Sequence, residues 1–549
     1  MLFLKIPPKF SVTSFDNTLI KPVQMFKARQ ILNEMPSSID PVTWLDAVLE
    51  TDPGRIFIET PDGKTYTYRD LADISGRIAS ALAWRSVVAG DRVVAQVDKS
   101  PEAFMLSVAC LRLGAVFVPL NPAHMIPELE YFLGDAEPRM VIVRPQDRET
   151  LAPIAHKLGV AYVETLGGGS EGSLMELAQA RSNTDFPRFA GGPDEPTTLL
   201  YTSGTTGRSK GAMITRRNLA SNAAALVKAW RFTQADVLLH ALPIFHVHGL
   251  FIACNTVLAA GARMLFLAQF DADEVMRLMP RATVMMGVPT FYTRLLQHPN
   301  LTRKATAHMR LFVSGSAPLL AETHSQFEVK TGHCILERYA MTETLVNTSN
   351  PYEGKRLAGT VGFAVPGVEI RVVDPETGKR LSEPEAVGVL EVRGPNVFKG
   401  YWRNPEKTAA EFRPDGFFIT GDVGKIDENG YVHIVGRAKD MIITGGYNVY
   451  PKEVEAEIDA LPGVVESAVI GVPHPDFGEG VTAVVTKAKG AAIDERQVLK
   501  ALDGRLANYK HPKRVLFVDD LPRNVMGKVQ KNVLRETYSK LYEQRNSLK

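Results

Sequence analysis

From Gly90 onward, short β-branched runs alternate with stretches of helical spacing. Val93 to Val97 is predicted as a strand, Pro101 to Leu113 as a helix and Val116 to Leu120 as a strand, together a βαβ unit. A second such unit runs from Met264 to Leu267, through a helix over Ala272 to Leu278, to Thr283 to Val288. A further strand, Met309 to Val313, leads into Ser314-Gly315-Ser316-Ala317-Pro318 and a helical segment. This alternation implies parallel sheets covered by helices on both faces, which bind ligands beyond the carboxyl ends of their strands. Chemistry is therefore expected in the loops that follow those strands.

Between Thr360 and Val435 the texture changes. Alternating strands (Val368 to Val373, Val389 to Val392, Tyr431 to Val435) and turns such as Asn429-Gly430 predict a small antiparallel subdomain. After Gly436-Arg437-Ala438-Lys439-Asp440 come another βα pattern and a basic, proline-containing tail, so a domain boundary is placed there.

The chain has 549 residues, 45% hydrophobic and 23% charged, enough for three or four units with substantial cores. That excludes a disordered chain or a small disulfide scaffold. The formal charge of +2 is too balanced for a nucleic-acid or anionic-lipid footprint. Cys110, Cys254 and Cys334 form no CxxC pair, which fits a reducing compartment, cytoplasm or an organellar matrix, and argues against structural zinc. Leu238 to Ala262 lacks Lys, Arg, Asp and Glu and is long enough to span a bilayer. His240, His246, His248, Asn255, Pro243 and glycines interrupt it, so buried core around a polar site is the better reading. Residues 1–36 read as an arm packed on the domain, with an organellar transit peptide as the alternative.

The densest local signal is Tyr201-Thr-Ser-Gly-Thr-Thr-Gly-Arg-Ser-Lys-Gly211. Its glycines and hydroxyls offer backbone N–H and O–H donors at close range, and Lys210 adds a positive charge, so the expected ligand is phosphate. Gly211 stands where a Walker A loop requires Ser or Thr. The loop resembles the phosphate-binding signature of the adenylate-forming superfamily of acyl-CoA synthetases, luciferases and adenylation domains. Tyr339-Ala-Met-Thr-Glu343, Thr420-Gly-Asp422, Gly436-Arg437-Ala-Lys-Asp440 and Pro522-Arg-Asn-Val-Met-Gly-Lys528 match in the same order. Ser209 replaces a common Pro, and Ala340 a common Gly.

The resemblance implies an α/β protein: a large N-terminal domain of two doubly wound sheets with a small β subdomain, and a smaller, mobile α+β C-terminal domain. The expected division is an arm, 1–36, an ATP- and acyl-binding domain, 37–438 (β subdomain about 355–438), and a lid, 439–549. By resemblance, Thr202, Ser203, Gly204, Thr205, Thr206, Gly207 and Lys210 would hold ATP phosphates, and Thr342 would contact phosphate while Glu343 ligates Mg²⁺. Tyr339 would stack on adenine, Gly315, Ser316 and Ala317 would line the nucleotide pocket, and Asp422 would accept the ribose hydroxyls beside Arg437. Lys528 would stabilise charge as the carboxylate displaces pyrophosphate. Lys439 would be a hinge bringing Thr444, Gly445, Gly446 and Tyr447 to a CoA tunnel.

The blocks LPIFHVHGLF, GVPTFYTRLL, SGSAPLL, LERYAMTET and NTSNPY are similar to the malonyl-CoA synthetase family. A dicarboxylate buries a second charge that needs cations or several donors. By that resemblance Arg338, His246 and Ser316 would grip the distal carboxylate, with His248 and Arg294 in the same acyl set. Two histidines at i and i+2 could instead bind metal, although no acidic or Cys cluster lies near them in sequence. Arg294, on a predicted helix, has a structural ion pair as its ordinary reading. Leu345-Val346 departs from the polar or Met pair expected there, widening or drying one wall and admitting methylmalonate or another small acid. The resulting expectation is an ATP- and CoA-dependent ligase forming malonyl-CoA through malonyl-AMP. A carrier-protein-loading enzyme, an acyl-AMP oxygenase and a non-catalytic nucleotide-binding protein are the other readings. Small-molecule partners are expected, with neither nucleic acid nor a membrane span, as monomer or homodimer.

Overall fold

In the computed structural model, residues 41–181, 186, 189–202, 209–445, 447–524 and 526–543 are described. The expected arm, Ser203 to Gly207 of the phosphate loop, and Gly446 lie outside them. The central helix shows how local sequence sets an element. Ser100 accepts the Ala103 N–H at 3.1 Å, Pro101 fills the first turn, and Gly114, at φ 82°, ends Pro101–Leu113. The helix is buried almost all round, which explains its lack of a polar stripe.

Two doubly wound sheets share the main core. In the first, Leu336–Met341, Leu311–Ser314, Val284–Gly287, Val237–His240, Arg263–Phe266 and Ile56–Glu59 are neighbouring parallel strands with antiparallel edges. In the second, Pro196–Thr202, Val116–Pro119, Arg92–Gln96, Met140–Val143 and Tyr162–Thr165 run parallel. Its antiparallel edge is Lys210–Thr215 followed by Gly400–Tyr401. The predicted antiparallel unit is a five-stranded sheet whose Phe418–Ile426 and Val432–Arg437 strands pair Asp422 with Arg437.

The C-terminal sheet holds Ile442–Thr444, Tyr447–Val449, Val464–His474, Gly478–Lys487 and Arg514–Val518 over its own core. The fold expectation is borne out, with strand ends shifted by a residue or two. The uncharged Leu238–Ala262 run divides into a strand end, a loop, a π-helical turn His248–Ala253 and a helix Cys254–Ala260. Among the described residues no helix is long and apolar enough to cross a membrane.

Candidate active site

The site residues gather at the carboxyl ends of the parallel strands. Arg338 and Tyr339 are consecutive on Leu336–Met341, so their side chains point to opposite faces of that strand. A register shift between Tyr339 and Ala340, opposite Val346 and Thr348, marks a bulge in the hairpin that carries both.

Arg338 is 3% exposed, and its Nε and Nη2 have no hydrogen-bond partner among the described residues. Burial lowers its guanidinium to about 9. The loop after Leu311–Ser314 admits it: a Cβ at Gly315 would stand 2.4 Å from Arg338 Cζ, so only glycine leaves that space. Ser316 follows in a left-handed conformation, φ 74°, with Oγ 3.0 Å from His248 Nδ1. His248 Nε2 is likewise buried with no partner among the described residues. The His248 N–H donates to His246 Nδ1 at 3.2 Å. Burial and the Arg338 charge push His246 down to about 4 and His248 well below the usual range, so both rings are neutral donor–acceptors at pH 7. Tyr292, unflagged by sequence, is buried beside Arg338 and donates to the Val313 carbonyl at 2.6 Å. Such a pocket can neutralise and orient one anionic group. Among the described residues no group of three or more His, Cys, Asp or Glu is placed to hold a metal, and His246 and His248 have no such third ligand beside them.

On the opposite face, the Tyr339 hydroxyl donates to Asp422 Oδ2 at 2.6 Å and Arg437 Nε lies 2.9 Å from Oδ1. The buried carboxylate is thereby fixed by two neighbouring strands. Glu343, buried after the bulged strand, has its carboxyl pushed up by burial, and its Oε1 accepts from the Tyr401 hydroxyl at 3.1 Å. Tyr401 is also 2.8 Å from Glu411 Oε2, and Lys210 Nζ stands 5.5 Å from its ring centroid. Neither Tyr401 nor Glu411 was flagged by sequence. Gly400–Tyr401 joins the site only by pairing with the strand after the phosphate loop, a long-range closure with no local signal. Of the expected phosphate residues, Thr202 and Lys210 are Cα partners in the described hairpin. Thr342 is half-buried in the turn before Leu345, and Gly315 and Ala317 line the loop already described.

The C-terminal unit closes this cleft. Met526 is 5% exposed and belongs to the main core. Gly527, φ +73°, sits where a Cβ would meet Thr290 Cγ2 at 3.0 Å. Lys528 follows, reachable by solvent along the cleft wall but crowded by protein: burial and Arg437 lower its ammonium to about 8, with Asp422 opposing. Lys439 is exposed in the single turn Ala438–Asp440 joining the two units, beside an Asp440–Arg535 pair of 2.6 Å. Thr444 ends the strand Ile442–Thr444 of the C-terminal sheet and Gly445 follows in the turn, with Tyr447 59% exposed and stacked on Tyr509 at 4.8 Å. Three further residues of the expected acyl set are placed as follows. Arg294 is exposed on Pro289–Gln297, whose buried face carries Phe291, Tyr292 and Leu295, so helical phase takes it away from the pocket. Leu345 and Val346 are buried in the main core as hairpin partners of Met341 and Ala340.

Residues 45–402 match the AMP-binding enzyme family and 453–528 the AMP-binding enzyme C-terminal domain. The ATP-bound structure of MatB from Rhodopseudomonas palustris is 59% identical, with a TM-score of 0.89, covering 92% of this chain and 100% of that one. The mitochondrial malonate–CoA ligase ACSF3 of Mus musculus is 36% identical over 514 residues, 86% of this chain and 87% of its own. A feruloyl-CoA synthase of Amycolatopsis is 36% identical over 486 residues, 87% of this chain and 94% of its own.

Proposed function

The chain belongs to the AMP-binding enzyme family, and from that premise we propose that it is an acid–CoA ligase whose acid is malonate. Relatives at equal identity are named for malonate and for ferulate, so overall similarity at that level does not choose the acid. Arg338 carries the choice. A monocarboxylate with an apolar tail would leave its guanidinium buried and unpaired, whereas a distal carboxylate accepts from Nε and Nη2 and removes that cost. His246, His248 and Ser316 complete the grip, as neutral groups that add hydrogen bonds without repelling the anion.

The proposed reaction has two steps. The proximal carboxylate attacks the α-phosphorus of ATP and pyrophosphate leaves. The CoA thiolate then attacks the acyl carbon of malonyl-AMP and AMP leaves. Thr202, Lys210 and the intervening loop are assigned to the phosphates, with Thr342 beside them. Gly315 to Ala317 and Tyr339 are assigned to the nucleoside. Asp422 keeps lone pairs beyond those used by Tyr339 and Arg437, which suits it to ribose hydroxyls. Lys528 counters negative charge at the carboxylate and α-phosphate. Glu343 would hold Mg²⁺: its buried carboxylate, with Glu411 sharing the Tyr401 hydroxyl, is a set of hard oxygens suited to that cation. When bound, the cation neutralises phosphate charge.

The test is mass spectrometry of products from a panel of malonate, methylmalonate, succinate and acetate, with ATP and with or without CoA. Malonyl-CoA as the major product, lost in Arg338→Met, is expected. A preference for acetate, or malonate turnover unaffected by Arg338→Met, would refute the reading. Methylmalonyl-CoA formed at a comparable rate would mean that the acyl site tolerates a C2 substituent.

A further inference from the structure

Behind the acyl pocket lies a lysine with no part in the reaction above. Lys99 follows the strand Arg92–Gln96 of the second sheet, and His240 ends Val237–His240 of the first. Lys99 Nζ stands 2.9 Å from His240 Nδ1, 2.9 Å from the His240 carbonyl oxygen and 4.3 Å from the Phe266 ring centroid. Among the described residues its surroundings are thus an imidazole, a carbonyl, an aromatic face and the Cys254 thiol. His240 is itself 1% exposed, with Nε2 3.0 Å from the Gly249 carbonyl oxygen and 3.3 Å from Cys254 Sγ.

These contacts fix the tautomer. The Gly249 carbonyl can only accept, so the neutral ring carries its proton on Nε2 and offers Nδ1 as acceptor to the Lys99 amine. Gly249 O also accepts the Cys254 N–H, the bond that closes the π-helical turn His248–Ala253. A π turn is a strained insertion that persists where neighbours hold it, commonly at functional sites. Here the holding group is His240, and the first residue of the turn is His248, whose Nδ1 meets Ser316 Oγ at 3.0 Å.

We propose that Lys99 is a positioning residue for the acyl site, acting through His240 and the π turn to set His248 against Ser316. The inference rests on the reading of Arg338, His248 and Ser316 as the carboxylate grip. It makes acid recognition depend on a contact between the two sheets, outside the pocket itself.

The experiment measures steady-state kinetics of the full-length enzyme with the panel acid that the wild type uses best. Lys99→Met should raise the acid KM about ten-fold, leaving the ATP KM within about two-fold. A general packing defect would move both. In a Ser316→Ala background, Lys99→Met should add little further, because both changes act on one chain of contacts. His240→Gln, whose amide can accept from Lys99 and donate to Gly249, should retain a near-normal acid KM, and His240→Leu should not. Should Lys99→Met fail to fold, the His240 pair decides the matter. An unchanged acid KM in Lys99→Met, full additivity with Ser316→Ala, or equal behaviour of the two His240 variants would overturn the inference. A wild type that prefers a monocarboxylate would instead refute the grip reading, which the panel detects before any Lys99 variant is made.

Discussion

An unpaired guanidinium is an expensive thing to bury, and Arg338 makes that cost measurable. Its native value of about 9 lies below that of an unfolded arginine, so the folded protein disfavours the charged form it carries at pH 7. Replacing it with Met removes the cost of burying that charge without a partner. Arg338→Met should therefore raise the Tm of the unliganded protein while abolishing the upward shift that malonate gives the wild type. A lower Tm together with a retained malonate shift, read by calorimetry, would contradict the proposed role. Lys528 offers a second measurement at this scale. Burial and Arg437 hold its ammonium near 8, so the proposed cation is present below that pH and lost above it. The kcat/KM for adenylate formation should show an alkaline limb near pH 8, since that parameter reports the free enzyme. In Lys528→Arg the limb should disappear, because guanidinium stays protonated there. Identical profiles for the two enzymes would remove Lys528 from the titrating step.

At the scale of elements, the loop Asn524 to Lys528 works as a plug. The Asn524 N–H donates to the Lys528 carbonyl at 2.9 Å, and the Asn524 side chain accepts the Lys528 N–H at 3.0 Å, making a tight turn with Gly527 at its tip. Gly527→Ala would place a Cβ against Thr290 in a backbone region that L side chains rarely adopt. Malonate-dependent pyrophosphate exchange should fall about ten-fold or more, while thioester formation from supplied malonyl-AMP stays near wild type. Equal losses in both assays would place the damage elsewhere. What was legible in the sequence follows the same local logic. Pro101–Leu113 and Ala272–Leu278 were readable to the residue because caps at Ser100, Gly114 and Asp271 are encoded locally. The predicted strand Thr283 to Val288 shortened to Val284–Gly287 because Pro289 opens the next helix and Val288 becomes its cap. Motif residues such as Tyr339, Glu343 and Asp422 were found through the resemblance of the segments that carry them to the adenylate-forming superfamily. Tyr401 and Glu411 were not, because a two-residue strand joins the site through a partner far away in sequence. Arg294 was placed on a helix by the sequence, but which face of that helix it occupies emerges only from the packing of Phe291, Tyr292 and Leu295.

At the scale of the whole molecule, a net charge of +2 conceals local cations: Arg437 beside Lys528, Lys210 beside Tyr401, and Arg338 buried on the other face of its strand. The closed arrangement places Met526 in the main core and Lys528 beside Arg437 and Asp422. Tyr447, by contrast, is on the C-terminal sheet with its ring largely in solvent. If the segment Thr444 to Tyr447 is to meet CoA at the adenylate, the C-terminal unit must turn, and the single turn Ala438–Asp440 is the connection between the two bodies. Proline substitution discriminates between its residues. Arg437 is extended, φ −107° and ψ 138°, the conformation favoured before proline, so Ala438→Pro fits the present backbone and leaves the torsions of Lys439 free. Lys439→Pro is still within the first turn, where proline is accepted, but it fixes φ at the proposed hinge itself. Ala438→Pro should spare both half-reactions. Lys439→Pro should keep malonate-dependent pyrophosphate exchange within about three-fold yet slow malonyl-CoA formation by about a hundred-fold, a gated second step behind an intact first one. Single-turnover assays of the two steps would establish this, and parallel behaviour of the two proline variants would move the hinge away from Lys439.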